Sequence, residues 1–230
     1  MEGQSLPSHG VRQIPDMGFS NAYLIEADQT LALIDTGTPG KDKKVLAYLT
    51  SIGRKPSEIS YIILTHPDMD HSGSAASLKR ATGATLAIGE FDAPRLSGEK
   101  KLKETSGFSG VMTGLFGAFM KVERIQPDLL LKDGTTIGPL RTVFTPGHTD
   151  GSVSIYKPGE ALFVGDLLRT DGEGRLKLAS PSMSRDMSEV RRSVERISTL
   201  EFEMLLPGHG KPIEENASEK LKHFVKNGFK

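Results

Sequence analysis

The 230-residue chain contains no cysteine and no tryptophan. Without cysteine there is no disulfide framework, no thiolate metal ligand and no thiol nucleophile, so any bound metal must be held by histidine, aspartate or glutamate. Net charge is missing too: 29 Lys and Arg balance 29 Asp and Glu, and the basic residues are scattered. That leaves no electrostatic footprint for nucleic acid, and none is expected as a partner. Residues 1–15 are polar, with Pro7 and Pro15, and read neither as a signal peptide nor as a transmembrane segment; cytoplasmic residence is the expectation. No shift in composition divides the chain, and its length suits one domain over 1–230 with a substantial core.

What the chain does have is histidine in unusual company. Directly after the apolar run Tyr61-Ile62-Ile63-Leu64 comes Thr65-His66-Pro67-Asp68-Met69-Asp70-His71. The run reads as a buried strand, so its polar end is a site. Four metal-capable side chains this close cannot share one direction on a helix or strand, but a turn at a strand edge can converge them, and metal binding is the economical reading. For this stretch alone, a solvated acidic loop with incidental histidines is the alternative.

The remaining segments repeat the arrangement. Ala22–Ala27 and Leu31–Ile34 read as a hairpin through Asp28-Gln29, and the second strand runs into Asp35-Thr36-Gly37. Taken locally, Asp35 is a turn former. Val45, Leu46, Leu49 and Ile52 mark a one-faced helix over 41–52 closed by Gly53. A small-residue helix over 72–82, ended by Gly83, leads to a strand at Ala84–Ile88, which completes a strand–helix–strand pattern. Asp133-Gly134 reads as a hairpin-type turn before Ile137. The strand Leu140–Phe144 ends in Thr145-Pro146-Gly147-His148, and a hairpin of Ser152–Tyr156 and Ala161–Val164 delivers Gly165-Asp166. Residues 169–184 read as a long loop or short hairpin over the site, from which Arg175, Lys177, Ser182 and Arg185 could reach substrate, although solvated surface is the favoured reading for each. An amphipathic helix over 186–200 and a strand Glu203–Leu206 precede Pro207-Gly208-His209-Gly210. Asn216 and Glu219 suggest a capping box for a last helix, where His223 reads as surface. Between the strand Ala84–Ile88 and Asp133-Gly134, Phe108, Val111, Met112, Leu115, Phe116, Phe119 and Met120 recur at helical spacing, compatible with a core helix, a lid, a dimer contact or a lipid-facing patch.

Four of six histidines thus follow apolar strands in Gly- or Pro-bearing turns, and Asp35, Asp68, Asp70 and Asp166 share that placement. The order His66-x-Asp68-x-Asp70-His71, His148, Asp166, His209 resembles the metallo-β-lactamase superfamily, over nearly the whole chain. The resemblance implies an α/β fold, a four-layer αβ/βα sandwich with metals at the common edge of its two sheets. It implies His66, Asp68 and His148 for one ion, Asp70, His71 and His209 for another, Asp166 bridging both, and Asp35 orienting ligands by hydrogen bonds. It further implies a hydrolase, with a metal-bridging hydroxide held by Asp166 and bonded to Asp70, acting on an ester, thioester or lactone; zinc is the first expectation, with iron or manganese also admissible. The small single-domain glyoxalase II type and lactonases are the nearest likeness.

One departure matters. The family usually has histidine at position 68, and an aspartate there is expected to make the first site harder, less electrophilic and as tolerant of manganese or iron as of zinc. Two other functions stay open: a mononuclear-iron oxidoreductase similar to persulfide dioxygenases, using His66, His148 and Asp166, and a non-catalytic metal-binding module. The substrate is expected to be a small molecule, and self-association into a homo-oligomer is left open.

Overall fold

Strands buried on both faces dictate the layering. In the computed structural model, which describes residues 10–27, 30–100 and 122–230, the first sheet holds β1 (Val11–Ile14), β2 (Ala22–Ala27), β3 (Thr30–Ile34), β4 (Ile59–Leu64), β5 (Thr85–Gly89) and β6 (Leu129–Leu131), neighbours in chain order. β1 to β3 pair antiparallel and β3 to β6 parallel. The second sheet has β7 (Thr136–Ile137), β8 (Leu140–Phe144), β9 (Val153–Lys157) and β10 (Ala161–Gly165) as an antiparallel meander, with β13 (Met204–Pro207) added parallel to β10. A small hairpin of β11 (Leu168–Thr170) and β12 (Leu176–Leu178) stands apart.

Alternation along each strand sends side chains to two different cores. In β4, Ile62 and Leu64 join Leu33 and Leu86 against Val45 and Leu49 of α1 (Asp42–Ser51) and Leu78 of α3 (Ala75–Thr82), while Ile63 turns the other way. Ile63, Tyr23 and Ile34 then meet Ile155, Phe163 and Leu206 of the second sheet, where the Tyr23 and Phe163 rings pack edge to face at 5.5 Å. Beyond that sheet, Leu162, Val164 and Leu205 pack on Val190, Val194 and Ile197 of α5 (Met187–Ile197) and Leu221 of α6 (Ala217–Lys226). Helix, sheet, sheet, helix is the four-layer αβ/βα order implied by the motifs. Among the described residues no helix is long and apolar enough to cross a membrane.

Local expectations are corrected at three places. The helix read over 72–82 is broken into α2 (Met69–Ser72) and α3, because Ser74 bonds instead to the turn after β3: its N donates to Thr36 Oγ1 at 3.3 Å and its Oγ to the Thr38 carbonyl at 2.7 Å. Asp133-Gly134 does form a tight turn, with Thr135 N donating to the Lys132 carbonyl, but it carries the chain from the first sheet to the second and closes no hairpin. Asn216 makes no capping box; it adopts φ 52° and its side chain caps nothing. The first amides of α6 are taken by the preceding strand region, Ala217 N donating to the Glu203 carbonyl at 3.0 Å and Ser218 N to that of Phe202 at 3.3 Å, so no side-chain acceptor is needed. The apolar stripe Phe108–Met120 lies outside the described residues, as do Asp28 and Gln29.

Candidate metal centre

Five strand ends meet at one edge of the sandwich. β3 runs into Asp35, β4 into His66, β8 into the turn bearing His148, β10 into Asp166 and β13 into His209. Asp68, Asp70 and His71 come from the turn after β4 and the single-turn helix α2. A hydrophobic strand stops where its polar turn begins, and here each such turn faces the same point.

Asp68 Oδ2 lies 3.7 Å from His66 Nε2 and 3.1 Å from His148 Nε2. Opposite, Asp70 Oδ2 lies 3.7 Å from His71 Nε2 and 3.4 Å from His209 Nε2. Asp166 joins the halves: its Oδ1 is 3.1 Å from His71 Nε2, and its Oδ2 is 3.2 Å from His209 Nε2 and 3.6 Å from His148 Nε2. Three sets, His66/Asp68/His148, Asp70/His71/His209 and His66/His71/Asp166, each present one donor atom per residue within 4.8 Å of one another. All seven side chains expected at the site are therefore together.

The hydrogen bonds behind the histidines decide which nitrogen faces inward. The backbone carbonyl of Phe19 can only accept, so His209 donates from Nδ1 at 2.9 Å and, when neutral, keeps its lone pair on Nε2. His71 Nδ1 donates to Asp35 Oδ2 at 2.8 Å. Asp35 also accepts from Thr65 N and Thr65 Oγ1, both at 2.8 Å; with its hydrogen so committed, Thr65 Oγ1 accepts from His66 Nδ1 at 3.0 Å. His148 Nδ1 stands 3.4 Å from Ser184 Oγ. Four imidazoles thus aim Nε2 at the cluster, the arrangement that metal-binding histidines need. Asp35 sits at φ 59°, uncommon for a non-glycine residue, and the bonds it makes to Thr65 and His71 hold it there.

Does this donor set fit a metal? His66 Nε2 is buried and has no hydrogen-bond partner among the described residues, and Asp166 Oδ1 is likewise without a well-aligned one. An orphaned imidazole nitrogen beside an orphaned carboxylate oxygen is costly unless a cation takes both. Imidazole nitrogen with carboxylate oxygen suits zinc, iron or manganese. The fit is good.

Electrostatics in the metal-free protein point the same way. Burial and the neighbouring His71 and His148 push His66 well below the ordinary histidine value, so it is neutral and ready to ligate. For His71, burial opposes protonation, but the Asp166, Asp35 and Asp70 carboxylates outweigh it and hold its pKa well above 6.5. His209 is raised too, burial being overcome by the bond to Asp166 and that carboxylate's charge, whereas Asp166, despite burial, is held well below the usual carboxylate range by His71 and His209. A raised histidine pKa stabilises the metal-free fold fully below 6.5, and the contribution fades as pH rises through the raised value. A metal must displace those protons. Apparent metal affinity is therefore expected to climb with pH above about 6.5, with proton release on binding. Calorimetry in two buffers of different ionisation enthalpy reads this; identical heats in both would contradict it.

Some residues that shape the site escape sequence reasoning. Ser20 Oγ donates to the Asp70 carbonyl, Asn21 N to that of Gly208 at 2.8 Å, and Asn21 Nδ2 to those of Pro207 and Gly210, so the β1–β2 loop clasps both turns of one half of the site. Nothing in the loop's composition signals this. Asp92 and Arg95, at the start of and within α4 (Ala93–Leu96), are also engaged nearby, and Asp92 carries the one available cue, an acid just past a strand. Arg175 pairs with Asp171 in solvent and Ser182 with Ser180, as surface residues do, while Arg185 pairs with Asp150. His223 is exposed on α6.

The sequence profile described as the Metallo-beta-lactamase superfamily matches residues 15–209. The chain belongs to the metallo-β-lactamase superfamily. Among its relatives in this metallo-hydrolase superfamily is the probable metallo-hydrolase MJ0888 of Methanocaldococcus jannaschii, 32% identical over 213 residues, 90% of this chain and 95% of that protein. A hydroxyacylglutathione hydrolase of Pseudomonas entomophila is 30% identical over 183 residues, 76% of this chain and 54% of that one. Of solved structures, BJP-1, a subclass B3 metallo-β-lactamase of Bradyrhizobium japonicum, superposes with a TM-score of 0.73 at 23% identity, covering 99% of this chain and 90% of its own, which establishes the fold. TTHA1623, solved in a di-iron-bound form, gives a TM-score of 0.65 at 27% identity over 84% of this chain and 88% of its own. Superfamily membership supports hydrolase chemistry and metal binding in broad terms.

Proposed function

We propose that the chain is a binuclear metallo-hydrolase acting on a small ester, thioester or lactone. One observation carries the reading: two complete three-residue donor sets are joined by one carboxylate, Asp166. Divalent ions held by these residues would supply a hydroxide nucleophile near neutral pH and Lewis-acid polarisation of the scissile carbonyl. The protein does the rest. Asp166, partly exposed and held ionised, keeps the two halves in register, and Asp35 and Thr65 fix the tautomers of His71 and His66. Asp70 Oδ2, 3.4 Å from His209 Nε2, is the carboxylate placed to hold a proton during the reaction and pass it on. Exposure runs from 0% for the His71 side chain to 32% for His209, so substrate enters on the His209 side.

The hydroxyacylglutathione hydrolase among the relatives supports a thioester as the first substrate to try. A mononuclear-iron oxidoreductase needs only His66, His148 and Asp166, and the equally complete set Asp70/His71/His209 argues for the binuclear reading over it. The test is metal content measured alongside turnover of thioesters, lactones and phosphodiesters with matched metals. Two ions per chain with thioester or lactone cleavage is expected; turnover that survives in metal-free protein would refute the proposal.

Asp68 refines the choice of metal. Zinc is the default, but an anionic oxygen in place of imidazole hardens the His66/His148 site toward manganese and iron. Asp68→His is expected to shift that site's preference toward zinc by about tenfold or more, within the range that ligand and outer-shell changes produce. Competitive loading followed by elemental analysis reads the shift, and an unchanged metal ratio would count against it.

A further inference from the structure

The two halves of the centre are braced differently. His209, Asp70 and the Gly208 turn are held by the β1–β2 loop, with Nδ1 of His209 fixed at 2.9 Å by a backbone carbonyl. His66 and His71 are fixed through Thr65 and Asp35 at 3.0 and 2.8 Å. His148 has the longest of these four Nδ1 contacts, 3.4 Å, to a serine on a partly exposed segment. The backbone on either side of it is held as well.

That backbone is gripped by a buried ion pair the reaction does not use. Asp92, fully buried, accepts from Thr149 Oγ1, the residue after His148, and from Arg95 Nη1 at 2.7 Å. Arg95 Nη2 reaches on to Asp150 Oδ2 at 2.8 Å, and Arg185 Nη1 donates to the same oxygen at 2.8 Å while its N donates to the Gly147 and His148 carbonyls. Thr149 N donates to Ser152 Oγ at 3.0 Å. Gly151 admits this approach, because a Cβ there would collide with the Asp92 backbone nitrogen. A buried carboxylate and guanidinium are costly to desolvate, and packing alone is served as well by apolar side chains.

The geometry points to Asp92, with Arg95, as the positioning residue for His148: the pair locks the turn 147–152 so that His148 Nε2 is presented to the ion it shares with His66 and Asp68, and leaves the Asp70/His71/His209 ion untouched. The inference rests on the two-ion reading above. Outer-shell carboxylates typically change metal affinity by about 10–100-fold, and a loss of that size is expected here at one ion only.

The test is a cobalt titration of metal-free full-length protein followed by absorption and calorimetry, comparing wild type, H148A, D92N, T149V and T149S. H148A should abolish one of two equivalents. D92N and T149V should weaken that same equivalent about 10–100-fold with the other unmoved, and T149S, which keeps the hydroxyl, should restore it. If H148A still binds two equivalents, the two-ion reading fails and this inference with it. If H148A loses one equivalent but D92N and T149V titrate as wild type, or lose both in parallel, only the inference is overturned. Should D92N not fold, T149V against T149S decides.

Discussion

Asp166→Ala is expected to empty both metal positions and to lower kcat/KM by at least about 1,000-fold, equivalent to about 4 kcal/mol of transition-state stabilisation. Asp166 is the carboxylate that reaches both halves: it lies within 3.6 Å of His71, His148 and His209 through its two oxygens. Removing it takes away the carboxylate whose charge raises His71 and His209, and it leaves the surrounding imidazoles without their shared anion. Elemental analysis and single-substrate kinetics read the effect, and an Asp166→Ala protein retaining two ions would contradict the assignment.

Nearly as large an effect is expected from adding a single methyl group. A Cβ at Gly208 would stand 2.5 Å from Asp166 Oδ1 and 2.6 Å from His71 Cε1, well inside van der Waals contact. The neighbours cannot retreat easily, since Gly208 N donates to the Gly165 carbonyl at 2.8 Å and its own carbonyl accepts from Asn21. Gly208→Ala should therefore push Asp166 and His71 off their positions and cost both metal binding and at least about 100-fold in activity, while the distant cores stay intact. Circular dichroism with metal analysis separates the two. A variant that is folded, fully metallated and active would show that the turn can yield where the geometry says it cannot.

The strands and the metal-facing residues are legible in the sequence for one reason, whereas the order of the layers comes only through the family resemblance. A strand buried on both faces is a run of apolar residues, and its end is visible as a sudden change to Gly, Pro, His and Asp; that contrast exposes His66, His148, Asp166 and His209. What stays hidden depends on pairing across the chain. Asn21 and Ser20 matter because their partners are carbonyls nearly 190 and 50 residues away, and backbone carbonyls have no sequence signature. Turn chemistry is equally mute about destination: Asp133-Gly134 turns as expected, yet only the position of β6 in the first sheet makes it a crossover. Asn216 and Glu219 fit a capping pattern, but Glu203 and Phe202 of the preceding strand region had already satisfied the amides that a cap serves. Asp35 illustrates both sides. Locally it is a turn former, and its left-handed backbone agrees; its second task, orienting His71 and Thr65, follows only from the fold.

The most direct test of the central claim is anomalous X-ray scattering from crystals of the protein loaded with zinc or manganese. Two peaks about 3.5–4 Å apart are expected, one among His66, Asp68 and His148 and one among Asp70, His71 and His209, with Asp166 between them. A single peak, or ions bound only elsewhere on the surface, would contradict it.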